Sequence, residues 1–231
     1  MLNKNNGNTV TVKIDHHRRC SEKYKAIIMK TNISLLLSFA CLLLTACKTD
    51  DVTMEETIIS DPLIINEVLY DPSNVALDGD ANGDGKYSQE QDEFIEFVNT
   101  TDKALDVSGY KIFDATGLTS NVPVHVFPAG SIIQSRKALV VFGGGTPTGN
   151  FGGAVVQTST TGNLSLNNEV DFITVTDAAG VTVATFDIGP LSNNPNEAFT
   201  RNPDVTGGFV QHSSLGSSLF SPGKKNNGSN F

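Results

Sequence analysis

The sequence predicts an all-β fold, an antiparallel sandwich or barrel, and three observations predict it. From Leu63 onward the apolar residues fall in short runs, many of them alternating with polar ones. Gly, Asn, Asp and Pro separate the runs. No long stretch repeats its apolar residues with the 3.6-residue period of a helix.

Taken in order, the strands are LIINEVLY (63–70), FIEFVN (94–99), YKIF (110–113), VPVHVF (122–127) and ALVVF (138–142). VDFITVTD (170–177), VTVATFDI (181–188) and EAFTR (197–201) complete the series. The clearest hairpin is ITVTDAAGVTVATF, two β-branched strands around Asp177-Ala178-Ala179-Gly180, with Gly180 placed for a positive φ. Glu67 and Glu96 fall mid-strand. They are expected on a solvent face or strand edge, where charge discourages edge pairing, although a carboxylate pair for acid–base chemistry is the rival reading.

Upstream, the chain divides into segments of other character. Residues 30–47, KTNISLLLSFACLLLTAC, carry an apolar run from Ile33 to Leu44 that is too short to span a bilayer with ease. LTAC (44–47) resembles the bacterial lipobox, which makes Cys47 the lipidated first residue of the mature protein; Phe39 makes Cys41 the poorer candidate. The expected divisions are an upstream extension over 1–28, with translation starting at Met29, and a lipoprotein signal peptide over 29–46. An acidic tether follows over 47–62 and a β-sandwich domain over 63–231. Lys48 after the cysteine argues against inner-membrane retention, and Asp50–Asp51 resemble a surface-export signal, so the expected location is the outer membrane with display at the cell surface.

Composition narrows the chemistry. Processing would remove Asp15 and Glu22 together with seven Lys and Arg, taking the net charge from −9 to −14. A chain this acidic repels phosphate backbones, so nucleic acid is not an expected partner. Cys20 and Cys41 would leave with the signal, so neither a disulfide nor a catalytic thiolate remains. Only His125 and His212 would persist, which excludes a multi-histidine metal site.

LIINEVLYDP followed by DEFIEFVNTTDKALDVSGYKIFD resembles the lamin tail domain family, whose members share an I-N-E strand, an E-F-I-E-L-x-N strand and an L-S-G-W segment. Here ALDVSGY (104–110) carries Tyr110 in place of the Trp, and SPGKKN (221–226) resembles the family's closing P-G. The resemblance implies an immunoglobulin-like β-sandwich. It implies no single activity, because sandwiches host unrelated functions.

DGDANGDGKYSQEQDEF (78–94) is the stretch with chemistry in its spacing. Counting from Asp80, positions 1, 3, 5, 7, 9 and 12 are Asp80, Asn82, Asp84, Lys86, Ser88 and Gln91, with Gly85 at the sharp turn. This is the order of an EF-hand calcium loop, in which alternate oxygens converge on the ion and Lys86 supplies a carbonyl. Gln91 cannot give the bidentate carboxylate expected at position 12, which Asp92 or Glu93 could supply if the chain curls differently; Gln91 or Glu93 is expected to complete the shell. No flanking helices are expected. The predicted ligand is calcium, at a dissociation constant of roughly 10⁻⁴ to 10⁻³ M; the alternative is a solvated loop that binds nothing.

GGGTPTGNFGG (143–153) lacks the G-K-[ST] of a phosphate loop and is expected to be a flexible surface loop. No nucleophile stands beside a base at a recognisable spacing. The expected function is a lipid-anchored, non-catalytic interaction module for an envelope or extracellular protein or glycan. The rivals are a metal-assisted hydrolase using carboxylates from Asp80 to Glu96, and a purely structural envelope lipoprotein.

Overall fold

The computed structural model describes residues 61–193 and 195–231. The upstream extension, the signal peptide, Cys47 and nearly all of the tether lie outside the described residues. Among the described residues no helix is long and apolar enough to cross a membrane.

The strands are β1 (Leu63–Leu69), β2 (Phe94–Asn99), β3 (Leu105–Asp106), β4 (Lys111–Phe113), β5 (His125–Val126) and β6 (Ile132–Ile133). They continue as β7 (Ala138–Phe142), β8 (Val155–Thr158), β9 (Phe172–Thr176), β10 (Thr182–Asp187), β11 (Phe199–Asn202) and β12 (Gly208–Gln211). Among the described residues a six-stranded sheet runs β12-β11-β1-β2-β7-β8 and a four-stranded sheet runs β10-β9-β4-β5; β3 and β6 form a small third sheet. The pairings are antiparallel except β7 with β8. The predicted sandwich is therefore present, with one parallel edge. That edge follows from the glycine-rich segment, which carries the chain back across the sheet instead of turning it in a hairpin.

The core lies between the two large sheets. Ile65 and Val68 of β1, Ile95 and Phe97 of β2 and Leu139 and Val141 of β7 meet Ile112, Ile173, Val175 and Phe186 of the smaller sheet. Strict alternation from Leu63 would send Glu67 into this core and Val68 out of it. The register with β2 shifts between Ile65 and Glu67, so Asn66 forms a bulge that reverses the parity. Val68 then points inward, and Glu67 faces the opposite side with Leu69.

That opposite side is not open to water. Leu69, Phe94, Val140 and Phe142 form a second apolar cluster there, against Phe151 and Phe220. Phe94 meets Phe142 edge-on at 5.6 Å and Phe220 at 6.5 Å. Residues 218–231 thus form a C-terminal strap over the outer face of the large sheet. The strap sits close: a side chain on Gly223 would lie 1.9 Å from the Phe151 carbonyl oxygen, and one on Gly152 would lie 2.0 Å from that of Gly223.

Two short helices add detail the alternation did not foreshadow. Ala115–Ser120 is capped by the Asp114 carboxylate, which accepts from the Gly117 N–H at 2.7 Å. A single turn, Gln89–Asp92, leads into β2 where the sequence predicted no flanking helix.

Candidate functional site

The stretch between β1 and β2 folds as a nested series of turns in which carboxylates gather backbone N–H groups. Asp80 accepts from Asp84 N–H at 3.1 Å and Gly85 N–H at 2.9 Å. Asn82 Oδ1 accepts from Asp84 N–H at 3.0 Å, and Asp84 accepts from Lys86 N–H at 3.1 Å. Gly85 turns the chain at φ +87°, a conformation a Cβ would resist. Asp92 closes the loop by accepting from Asn82 N–H and Ser88 N–H at 3.2 and 2.7 Å.

The glycine-rich segment forms the wall of this loop. Gly143 N–H donates to the Glu93 carbonyl, Gly144 N–H to the Gln91 carbonyl, and Thr148 N–H to the Asn82 carbonyl, at 2.8 to 3.1 Å. A side chain on Gly145 would lie 2.5 Å from Asn82 Nδ2, 2.7 Å from Asp84 Oδ2 and 3.2 Å from Gln91 Oε1. Asn82, Asp84 and Gln91 therefore surround one backbone position, and Asp80 joins Asp84 through their shared turn. The sequence treated residues 143–153 as a free surface loop; the run of glycines was the signal of this close approach.

Glu93 stands apart from the other predicted ligands. It is buried, its carboxyl accepts from Leu166 N–H at 3.4 Å, and burial pushes its pKa up to about 9. Burial also raises Asp92, with the charges of Asp80 and Asp84 adding to the effect. Among the described residues the ion pair found is Arg136–Asp102, so no lysine or arginine neutralises Asp80, Asp84 or Asp92. As the side chains stand, no three acidic or histidine groups among the described residues are clustered for metal binding. The donor chemistry nevertheless suits a hard cation: three carboxylates, an amide oxygen and the Lys86 carbonyl.

Glu67 and Glu96 require a correction. Both side chains are fully buried and face one another across β1 and β2. They lie on the face away from the core, Glu67 by way of the bulge at Asn66, but the strap covers that face. Ser221 donates to Glu67 through its N–H at 2.8 Å and its hydroxyl at 2.7 Å. Gly223 N–H and Asn66 Nδ2 donate to Glu96 at 2.7 and 2.9 Å. Burial raises Glu67 to about 7, and burial together with the charge of Glu67 raises Glu96 well above the carboxylate range. These are the glutamates of the strand motifs, and their work is to stitch the strap onto the sheet. Asn99 braces the next turn in the same way, donating to the carbonyls of Lys103 and Ile133 at 2.7 and 3.0 Å.

Asp80 and Glu96 share no partner, and the Glu67–Glu96 pair is closed to substrate. His125 is buried beneath Phe127, holds Gln157 Oε1 at 2.9 Å, and is shifted to lower pKa by burial. His212 is buried with its Nδ1 2.9 Å from the Ser218 carbonyl. A family model described as Lamin Tail Domain matches residues 59–190, more than half of the chain. No curated protein matches the sequence.

Proposed function

The chain belongs to the lamin tail domain family, and from that premise we propose that it is a lipid-anchored envelope protein whose immunoglobulin-like sandwich serves as a non-catalytic interaction module. Cys47 carries the anchor, and the tether holds the sandwich away from the bilayer. Calcium held by Asp80, Asn82, Asp84 and the Lys86 carbonyl, with Ser88 and Gln91 completing the shell, fixes the loop between β1 and β2 at one end of the sandwich. Loops at the ends of such sandwiches are where ligands commonly bind, and fixing one in advance lowers the entropy cost of binding.

The observation that carries this reading is the loop itself: three carboxylates without a neutralising side chain, seated on a wall of glycines. The charges of Asp80 and Asp84 bear on Asp92, and a divalent cation relieves repulsion of this kind. The test is to express the full chain and its Cys47→Ser variant in a Gram-negative host and cross-link intact cells with and without chelator. The expected result is a full chain that sediments with the outer membrane, a variant that does not, and envelope cross-links that chelation removes. Identical fractionation of the two chains, or no cross-link to any envelope component, contradicts it.

A further inference from the structure

The two large sheets differ in width, and the excess lies on one side. The smaller sheet ends at β10, which lies over β1, while the larger sheet continues past β1 with β11 and β12. β11 and β12 therefore form a ledge beyond the β10 edge. Phe199 of β11 faces the core, and Arg201 follows it on the same face, opposite Phe209 of β12. The Arg201 guanidinium lies over the Phe209 ring at 4.5 Å, and that ring meets Phe186 of β10 edge-on at 4.7 Å.

The β10 edge is open. Ile188 N–H donates to the Asp171 carbonyl, so the alternation of the ladder turns the N–H and C=O of Thr185 and Asp187 away from β9. Those backbone groups find no partner among the described residues. β5, at the other edge of the sheet, is closed by contrast. Val126 N–H donates to Thr160 Oγ1 at 3.0 Å, and the Val124 carbonyl accepts from the hydroxyls of Ser159 and Thr161 at 2.7 and 3.1 Å. No lysine, arginine or proline blunts Thr182–Asp187, and its bulge leaves residues 184–187 in regular register. Arg201 brings a charge without a counterpart. It is half-buried; Nε donates to the Ile65 carbonyl at 2.8 Å and Nη1 to the Gly207 carbonyl at 2.7 Å. No carboxylate among the described residues pairs with it, and burial disfavours its charge.

We propose that the β10 edge takes an extended segment of a partner protein as an added strand over the β11–β12 ledge, with a carboxylate of that segment paired to Arg201. Main-chain bonds to Thr185 and Asp187 supply the attraction and the ledge reads the side chains. A second folded copy is excluded by the overhang. Pairing two β10 edges about a two-fold axis would set the partner's own β1 where β11 and β12 already lie. A lone strand is one layer thick and fits. The surface is separate from the β1–β2 loop, so it stands whether or not that loop holds calcium.

The test is NMR of the ¹⁵N-labelled full chain titrated with the end-blocked peptide Ser-Thr-Val-Thr-Glu-Thr-Val-Thr-Ser, whose Glu shares one face with two valines. Counterparts carry Gln or Lys in place of Glu. The expected result is a saturable shift of the Thr185 and Asp187 amides, at a dissociation constant of about 0.1 mM. The Gln peptide should bind about threefold more weakly, and the Lys peptide more weakly still. Thr185→Pro removes an outward N–H and no bond to β9, a change edge strands tolerate, and should weaken binding at least tenfold. No saturable shift of those amides overturns the proposal, as does parent affinity in Thr185→Pro. Equal affinity for the three peptides overturns the pairing with Arg201, and a dimer of the full chain that Thr185→Pro dissolves overturns the exclusion of a second copy. Envelope cross-links unchanged in Thr185→Pro, with flat peptide titrations, would overturn the edge site and leave the module reading standing.

Discussion

At Glu67 and Glu96 two carboxylates occupy facing positions on neighbouring strands, enclosed, with four N–H and O–H donors aimed at them. Their raised pKa values, with that of Glu93, make stability depend on pH in a definite direction. Each is raised above an ordinary value near 4.5, Glu67 to about 7 and Glu93 to about 9. The folded protein therefore keeps protons that the unfolded chain has released. The stability these groups contribute is complete below about pH 4.5 and is lost as pH rises through 7 and 9. His125, lowered by burial, acts on the other limb: its contribution is present above its ordinary value near 6.5 and lost on acidification. The contribution of these carboxyls to the thermal midpoint of the full chain should fall from about pH 5 to about pH 9, and Glu93→Gln should flatten that fall; an unchanged slope in the variant would show that Glu93 ionises freely. Alternation places Glu96 on the outer face but would turn Glu67 inward; the bulge at Asn66 brings both to that face. Alternation also could not show that the face was covered, because the covering segment lies more than a hundred residues downstream.

At the level of elements, the longer strands were legible because five to seven residues give alternation room to repeat. β3, β5 and β6 have two residues each and no period to read; they exist because neighbouring turns bring them into register. The bulge at Asn66 was equally hidden. Its side chain bridges two distant elements, donating to Glu96 and accepting from Val205 N–H at 2.7 Å, and no local pattern announces that. In the candidate site the D-x-N-x-D-G order foretold the turns at Asp80, Asn82 and Asp84, whereas the wall formed by residues 143–148 depended on tertiary contact. Gly145 is where that wall can be probed. Gly145→Ala would drive a methyl group into Asn82 and Asp84 from a backbone at φ +73°, and calcium binding by calorimetry should weaken at least about tenfold. Affinity equal to the parent would place the ion elsewhere.

Across the whole molecule, the large sheet is a layer with two buried faces, one against the smaller sheet and one beneath the strap. Gly223→Ala tests how far the second face matters. Its methyl would meet the Phe151 carbonyl, from a φ of +79°, and would lift the strap from Glu96. Denaturant unfolding should show a loss of about 1–3 kcal/mol; a loss below about 0.5 kcal/mol would mean that the strap is peripheral. The chain's net charge of −9 sets a background of self-repulsion that salt relieves without regard to site. A measurement of calcium binding must therefore separate a bound ion from ionic strength. The thermal midpoint of the full chain in calcium, in magnesium and in chelator, at matched ionic strength, does so. At about ten times the dissociation constant a bound calcium stabilises by about 1.4 kcal/mol, which for a domain of this size raises the midpoint by about 3–6 °C. A saturating rise of that size is expected with calcium alone, and none in Asp84→Asn. Equal midpoints in all three conditions, up to several times 10⁻³ M calcium, would contradict it and leave the acidic loop as solvated turns.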